Sequence, residues 1–232
     1  MQTMKKSRRK QVIWKMGAGL PLLALVLVAL SSCVTPQGKR DGAPDIQASF
    51  AAKGPSVARP EEGREGFIIK ERPQMDAASR KAFEQAVELL NRQDFGKAID
   101  LLEPIVAQSP RVSAPYINLA MAYRSIGETE KAEAHLKTAL TLVPDHPVAC
   151  NVYGLLCRKN GRFAEAREYY EKAIVRFPAY YPAHRNLGIL CDLYLNDPAC
   201  ALTHYELYSA ARPEDQQVKL WIADLRNRLG SK

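Results

Sequence analysis

The chain has 232 residues, with 33 Lys and Arg, 25 Asp and Glu, and a formal net charge of +8. The excess lies at one end: residues 1–32 hold six Lys or Arg and no acidic residue, which leaves 27 basic and 25 acidic side chains in the remainder. A net charge of +2 over that remainder gives no support for binding to nucleic acid. We therefore expect no nucleic-acid partner.

Residues 1–32 are typical of a secretory signal peptide. Six basic residues between Lys5 and Lys15 precede an uncharged apolar run, residues 16–30, and two serines follow it. A basic segment, an apolar segment and small residues, in that order, are the pattern of a cleaved signal. The alternative is an uncleaved membrane anchor, but a run of about 15 residues is shorter than the roughly 20 needed to span a bilayer.

The segment Leu30-Ser31-Ser32-Cys33 resembles a bacterial lipobox. The resemblance implies that Cys33 is lipidated, becomes the first residue of the mature protein and anchors it to a membrane. Val34 stands where lipoproteins retained in the inner membrane of enteric-type bacteria carry an aspartate. The resemblance therefore favours the periplasmic face of the outer membrane, and we expect no cofactor besides the lipid.

Residues 33–76 are predicted to form a flexible, disordered linker. Pro and Gly recur throughout this segment, and it has no helical or alternating apolar pattern. The apolar group Phe67-Ile68-Ile69 interrupts it. This group either folds back onto the first unit of the domain that follows or forms a short docking strand for a partner.

A 34-residue period organises the rest of the chain. Ala98, Ala132 and Ala166 lie 34 residues apart, and a proline follows each of them 12 residues later. A fixed period of this length indicates stacked copies of one structural unit. The copies within residues 77–214 are 79–112, 113–146, 147–180 and 181–214. The fourth carries one extra residue in its turn, so its small contact residue is either Cys200 or Ala201.

The small residues, aromatic residues and terminal prolines of this period resemble the tetratricopeptide repeat, a 34-residue helix–turn–helix. The resemblance implies an all-α solenoid of about four repeats. Residues 215–232 contain a further amphipathic stretch that includes Val218, Trp221 and Leu225. Repeat arrays need a terminal element with one polar face, so we predict a C-terminal capping helix here.

Cys191 and Cys200 lie on either side of the turn predicted in the fourth repeat. Antiparallel helices would bring them close enough for a disulfide in an oxidising periplasm. The alternative is two buried thiols, which is our interpretation of Cys150 and Cys157. The sequence has no nucleophile motif, phosphate loop or metal-ligand spacing. We predict a protein that is not an enzyme and has no metal site and no small-molecule substrate.

In tetratricopeptide proteins, the first helix of each repeat lines a concave groove that binds an extended or helical peptide. The resemblance places these residues in such a groove: Asn118, Met121 and Arg124 in the second repeat, Asn151, Leu155, Arg158 and Lys159 in the third, and Arg185, Asn186 and Ile189 in the fourth. The predicted groove is moderately basic with apolar pockets. The alternative is that these charges only solvate an exposed face.

The resemblance favours a protein-interaction adaptor of a Gram-negative envelope that binds a partner protein or peptide in its groove. Related lipoproteins help to assemble type IV or tight-adherence pili and their secretins. One alternative is an accessory of a TonB–ExbB–ExbD or gliding-type energy-transducing complex. Another is a regulator of peptidoglycan enzymes.

Overall fold

The structure is a computed structural model that describes residues 56–58, 68–71 and 74–230. Within these ranges, four helix–turn–helix pairs are followed by a ninth, single helix. The all-α repeat architecture predicted from the 34-residue period is confirmed. The helices are α1 Ala77–Asn91, α2 Phe95–Gln108, α3 Ser113–Ser125, α4 Thr129–Leu142, α5 Pro147–Lys159, α6 Phe163–Arg176, α7 Tyr181–Leu193, α8 Pro198–Ala211 and α9 Gln216–Gly230.

The turn inside each pair contains one residue with a left-handed backbone. These residues are Gln93, Gly127, Gly161 and Asn196, with φ angles of 62°, 89°, 75° and 51°. Glycine adopts this conformation without steric cost and asparagine tolerates it, whereas glutamine is disfavoured there. The first turn therefore carries backbone strain that the two glycine turns avoid.

The two helices of each pair approach closely at small residues. Ala98, Ala132, Ala166 and Ala201 are all fully buried, so Ala201 rather than Cys200 is the small contact residue of the fourth repeat. In the third repeat, the two helices also approach at a glycine of the first helix, and this contact is tighter still. A Cβ atom added to Gly154 on α5 would lie 2.5 Å from the ring of Tyr170 on α6. The ring therefore rests directly on the glycine backbone.

A carboxylate on α4 joins the second repeat to the third. Glu133 accepts hydrogen bonds from Tyr153 on α5 and from Arg162 just before α6, both at 2.8 Å, and pairs with Lys137 at 2.9 Å. Burial opposes ionisation of this carboxyl group, but the three hydrogen bonds lower the pKa of Glu133 to about 2. Glu133 is therefore ionised at neutral pH and fixes the angle between these repeats.

Helix α9 closes the C-terminal end of the array. It buries Val218, Ile222 and Leu225 against the repeats, while Lys219 and Leu220 on its other side are exposed. Asp215 accepts a hydrogen bond from the backbone N–H of Val218 at 3.3 Å and helps to start the helix. The predicted capping role follows from this one-sided burial.

The linker contains a short strand pair that its composition did not predict. Strand β1, Ser56–Ala58, pairs antiparallel with β2, Ile68–Lys70, with Val57 opposite Ile69. The prediction of a segment without regular structure is therefore wrong for these residues. Strands of three residues leave almost no alternating pattern to detect. The pairing of Ile68 and Ile69 with β1 is neither of the two alternatives expected for that apolar group.

Glu71, just after β2, caps a helix of the second repeat. Val112 precedes α3 and offers no side-chain acceptor to the first turn. Glu71 accepts hydrogen bonds from the backbone N–H and the hydroxyl of Ser113, at 2.8 and 2.5 Å. A carboxylate at this N-terminal end is also attracted to the positive end of the helix dipole.

No helix in the described part of the chain is long and apolar enough to cross a membrane. The predicted signal peptide, the lipidation site Cys33 and Phe67 lie outside the described residues.

Candidate peptide-binding groove

The first helices of successive repeats form one continuous surface. Helix α1 contacts α3, α3 contacts α5, and α5 contacts α7. Helices α3, α5 and α7 carry all of the predicted groove residues. The structure divides these residues into an apolar row, an arginine pair, and polar side chains that are held by contacts within the chain.

The apolar row consists of Met121, Leu155 and Ile189. These residues recur 34 positions apart on α3, α5 and α7, so they occupy the same position in successive repeats. Each is half-buried and packs on the main core while keeping part of its surface exposed. A continuous apolar strip on a solvated surface is typical of a protein-interaction site.

The arginine pair consists of Arg124 and Arg158, each one helical turn beyond a member of the apolar row. Arg124 Nε and Arg158 Nη1 are buried and have no hydrogen-bond partner among the described residues, and the same holds for Tyr170 Oη. Burial lowers the pKa of Arg124, and the neighbouring Arg158 cation adds to this effect. The two cations therefore lie near each other without a counter-ion in the described part of the chain.

Two of the three asparagines predicted to face the groove form side-chain hydrogen bonds within the chain. Asn151 is buried and accepts a hydrogen bond from Asn186 Nδ2 at 2.9 Å, which joins α5 to α7. Its side chain also bonds to Tyr180. Asn118 is half-buried on α3. Asn151 and Asn186 therefore join two first helices, and the role of Asn151 as a partner contact stays a prediction.

Arg185 on α7 is held by the capping segment. Its guanidinium lies 3.7 Å from the Asp215 carboxylate and over the ring of Trp221, at 5.3 Å from the ring centroid. Because these contacts stabilise the cap, Arg185 is less available to a partner than Arg124 and Arg158. Lys159, the last residue of α5, is exposed. The basic part of the groove is thus centred on α3 and α5.

The sequence of the repeat region matches a known family. Residues 83–147, 117–181 and 153–191 match the model described as Tetratricopeptide repeat. These units are tetratricopeptide repeats. No curated protein matches the chain in sequence. Arrays of this repeat bind other proteins, and the chain is a tetratricopeptide protein-interaction scaffold.

Solved structures of tetratricopeptide proteins share this fold. PilF of Pseudomonas aeruginosa is 21% identical with a TM-score of 0.61, and the match covers 66% of this chain and 70% of PilF. PilW, described as a widely conserved type IV pilus biogenesis factor, is 25% identical with a TM-score of 0.59, covering 67% and 71%. MamA is 19% identical with a TM-score of 0.55, covering 66% and 82%.

The tetratricopeptide groove extends onto the capping helix, which sequence reasoning did not include in the site. A cleft of about 580 Å³ lies between α7 and α9 and is lined by Ile189, Tyr205 and Trp221, among others. The apolar row therefore continues onto the indole of Trp221. The pattern of α9 had indicated only which of its residues face the repeats.

Cys191 and Cys200 form a disulfide that joins the end of α7 to the start of α8, with Cα atoms 5.9 Å apart. Cys150 and Cys157 are free and buried in the tetratricopeptide core. The ligand atoms of Cys191, Asp197 and Cys200 lie within 4.8 Å of one another. The disulfide leaves neither sulfur as a thiolate, so this cluster has no metal-binding capacity in the oxidised chain.

Proposed function

We propose that this chain is a non-catalytic adaptor that holds a segment of a partner protein in its tetratricopeptide groove. The observation that carries the proposal is the row of Met121, Leu155 and Ile189, which occupies the same position in three successive repeats, with Arg124 and Arg158 one helical turn further along. A strip of this kind offers apolar contacts to alternate side chains of an extended peptide, or to one face of a helix.

The partner system in this proposal is an envelope machine of the type IV pilus or secretin class. The support is the similarity to PilW, a type IV pilus biogenesis factor, at 25% identity. In the same proposal a lipid on Cys33 anchors the adaptor at the periplasmic face of the outer membrane. The lipobox-like segment ending at Cys33 supports that anchor.

A site-specific photocrosslinker in place of Met121 tests the groove in intact cells. Val175 on α6 is the matched control, because 82% of its surface is exposed and it lies on a second helix, outside the apolar row. We expect crosslinker at position 121, but not at 175, to capture a specific protein that mass spectrometry identifies. Equal capture from both positions, or none from position 121, would reject the groove as the working surface.

The identity of the captured protein tests the choice of machine. Pilus or secretin components would support the proposal. ExbB-like proteins or cell-wall hydrolases would reject the machine while keeping the adaptor role.

The lipid anchor has a separate test. Cys33→Ser is expected to abolish metabolic labelling with a fatty acid and to release the chain from the membrane fraction. Ser32→Ala serves as the control, because alanine is also small and the residue to be lipidated remains. Retention of label in Cys33→Ser would contradict the anchor without affecting the groove.

A further inference from the structure

The turn between α7 and α8 brings together three side chains of metal-binding type. Cys191 lies near the end of α7, Asp197 directly precedes α8, and Cys200 lies in the first turn of α8. The two sulfurs and a carboxylate oxygen all lie within 4.8 Å of one another. Within the described part of the chain, no other three His, Cys, Asp or Glu side chains are grouped in this way. The disulfide occupies both sulfurs in the oxidised chain, so metal chemistry at this turn belongs to the reduced chain.

We propose that Cys191, Asp197 and Cys200 bind a Zn²⁺ ion once the disulfide between the two cysteines is reduced. Thiolates and carboxylates are both zinc ligands, and Zn²⁺ adopts tetrahedral coordination. A water molecule completes the four ligands. The site lies in the turn of the fourth repeat, outside the apolar row, so this inference is independent of the proposed function.

The first argument is distance. Zinc bonds of about 2.3 Å to sulfur and about 2.0–2.2 Å to oxygen place tetrahedral ligand atoms roughly 3.5–3.8 Å apart. The sulfurs move apart when their covalent bond is broken, and the carboxylate oxygen is already within 4.8 Å of both. The Cα atoms of Cys191 and Cys200 are 5.9 Å apart. Side-chain movements of about 1–2 Å therefore produce the geometry that zinc requires.

The second argument is that hydrogen bonds hold the three ligands together without the disulfide. The backbone N–H of Asp197 donates to the carbonyl oxygen of Cys191 at 2.9 Å. The backbone N–H of Cys200 donates to Asp197 Oδ1 at 3.0 Å, and that of Ala201 donates to the carbonyl oxygen of Asp197 at 3.0 Å. None of these bonds involves a sulfur atom, so reduction leaves the turn closed.

The third argument is access and charge. The Asp197 side chain is 39% exposed and Cys200 is half-buried, so an ion reaches the turn from solvent, although Cys191 is fully buried. Because Asp197 Oδ1 caps α8, Oδ2 is the oxygen available to a metal, and it lies 4.0 Å from Arg167 Nη1. Two thiolates and a carboxylate around Zn²⁺ leave one negative charge, which the Arg167 cation balances.

The reductant in this proposal is a dithiol. One of its thiolates attacks the more accessible sulfur, that of Cys200, to form a mixed disulfide, and the Cys191 sulfur leaves with the electron pair and takes up a proton. The second thiolate of the reductant then displaces the Cys200 sulfur, which is also protonated, and the reductant leaves as a disulfide. Zn²⁺ releases the two protons as it forms its two bonds to sulfur.

Spacing explains why the sequence predicts no metal site at these residues. The cysteine pairs of zinc sites are usually separated by two to four residues, whereas Cys191 and Cys200 have a sequence separation of 9. They lie on two helices, and only the antiparallel packing of those helices brings them together. The third ligand, Asp197, has the sequence signal of a helix cap rather than of a metal ligand.

Titration of the reduced full chain with Co²⁺ tests the site, in detergent with a phosphine reductant that adds no competing thiol. Thiolate ligands give bound Co²⁺ a charge-transfer absorption band, and Zn²⁺ then displaces the Co²⁺ and removes the band. We expect one Co²⁺ per reduced chain and no band in the oxidised chain. Zn²⁺ should also raise the melting temperature of the reduced chain and leave that of the oxidised chain unchanged.

Three variants assign the ligands. C191A/C200A is expected to abolish the band, whereas C150A/C157A, which removes the two free buried thiols, should bind as the wild type does. D197N keeps an oxygen that caps α8 but loses the charged ligand. We expect the Zn²⁺ dissociation constant of D197N to rise by at least about 10-fold, because even groups outside the first coordination shell contribute that much. Circular dichroism checks that each variant is folded.

The absence of the band in the reduced wild type, or its persistence in C191A/C200A, would overturn the zinc site. An unchanged dissociation constant in folded D197N would overturn the assignment of Asp197 as the third ligand. None of these results bears on capture by the crosslinker at Met121. Failure of the zinc site is therefore distinguishable from failure of the groove.

Discussion

Single residues set the distance between the helices of a repeat. Gly154 allows the fully buried ring of Tyr170 to lie on the backbone of α5, and Gly188 does the same for Tyr205 on α7. A fully buried ring has little room to move away from an added methyl group. The same contact holds Tyr170, whose phenol interacts electrostatically with Arg158 and Arg124, so the packing of the third repeat and the surroundings of the arginine pair depend on one glycine.

Gly154→Ala is therefore expected to destabilise the chain by about 1–3 kcal/mol through overpacking. Gly96→Ala is a suitable control, because Gly96 lies inside α2 and an added Cβ would meet nothing within 4 Å. That change is expected to be neutral or to stabilise by up to about 1 kcal/mol, since alanine favours helix. Chemical denaturation measures both. Equal effects of the two substitutions would contradict the close-contact interpretation.

A second expectation at the residue scale concerns the first turn. Gln93→Gly should raise the free energy of unfolding by up to about 1 kcal/mol, because glycine adopts the observed φ of 62° without strain. The reverse change at the equivalent position, Gly161→Ala, should lower it by a similar amount. Thermal unfolding of both variants checks the pair, and a loss of stability in Gln93→Gly would show that contacts of the glutamine side chain outweigh backbone strain.

At the scale of elements, the sequence predicted the helix pairs that occur in every repeat but not the side-chain contacts that occur at only one place. Period and turn residues such as Gly127 placed the helix pairs, because each copy repeats the same packing requirement. The contact of Glu71 with Ser113 and that of Arg185 with Asp215 each occur at one place only. Such contacts depend on the angle at which elements meet, which the pattern along a single chain does not contain. The period therefore predicted the first helices that carry the groove residues, but not the contact between Arg185 and the capping segment.

The disulfide of the fourth repeat stabilises a single element pair. It closes a loop of nine residues in sequence separation, and a loop this short corresponds to a stabilisation of roughly 2–3 kcal/mol. The double variant Cys191→Ala/Cys200→Ala is expected to unfold at correspondingly lower denaturant concentration. Cys157→Ala is the control, because it removes a free buried thiol and so measures the effect of lost side-chain volume without loss of a disulfide. Identical unfolding of the wild type with and without reductant would argue against the bond.

At the scale of the whole molecule, buried histidines make stability depend on pH. Burial lowers the pKa of His146 to about 4, and His146 Nδ1 accepts the N–H of Val148 at 3.2 Å at the start of α5. Burial, with a further contribution from His184, also lowers the pKa of His204 to about 4. The unfolded chain takes up these protons near pH 6.5, before the folded chain does. Stability is therefore present above pH 6.5 and is lost as the pH falls towards 4.

The free energy of unfolding is accordingly expected to fall between pH 6.5 and 4.5, by up to about 1.4 kcal/mol per pH unit for each histidine. The melting temperature should fall with it. His146→Asn should reduce this dependence, because asparagine accepts the same backbone N–H groups without titrating. The carboxylate of Glu133, with a pKa of about 2, stays ionised throughout this range. A melting temperature that does not change from pH 7 to 4.5 would contradict the assignment.

The contact between Glu71 and Ser113 determines where a mechanical load enters the molecule. Tension on the chain ahead of Glu71, transmitted from a lipid at Cys33 in our proposal, reaches α3 through these two hydrogen bonds before it reaches α1. The first repeat is then off the line of force between the membrane and a segment held by Arg124 and Met121. Pulling would then act mainly on α3, which carries Ser113, Met121 and Arg124, while α1 and α2 bear little of the force.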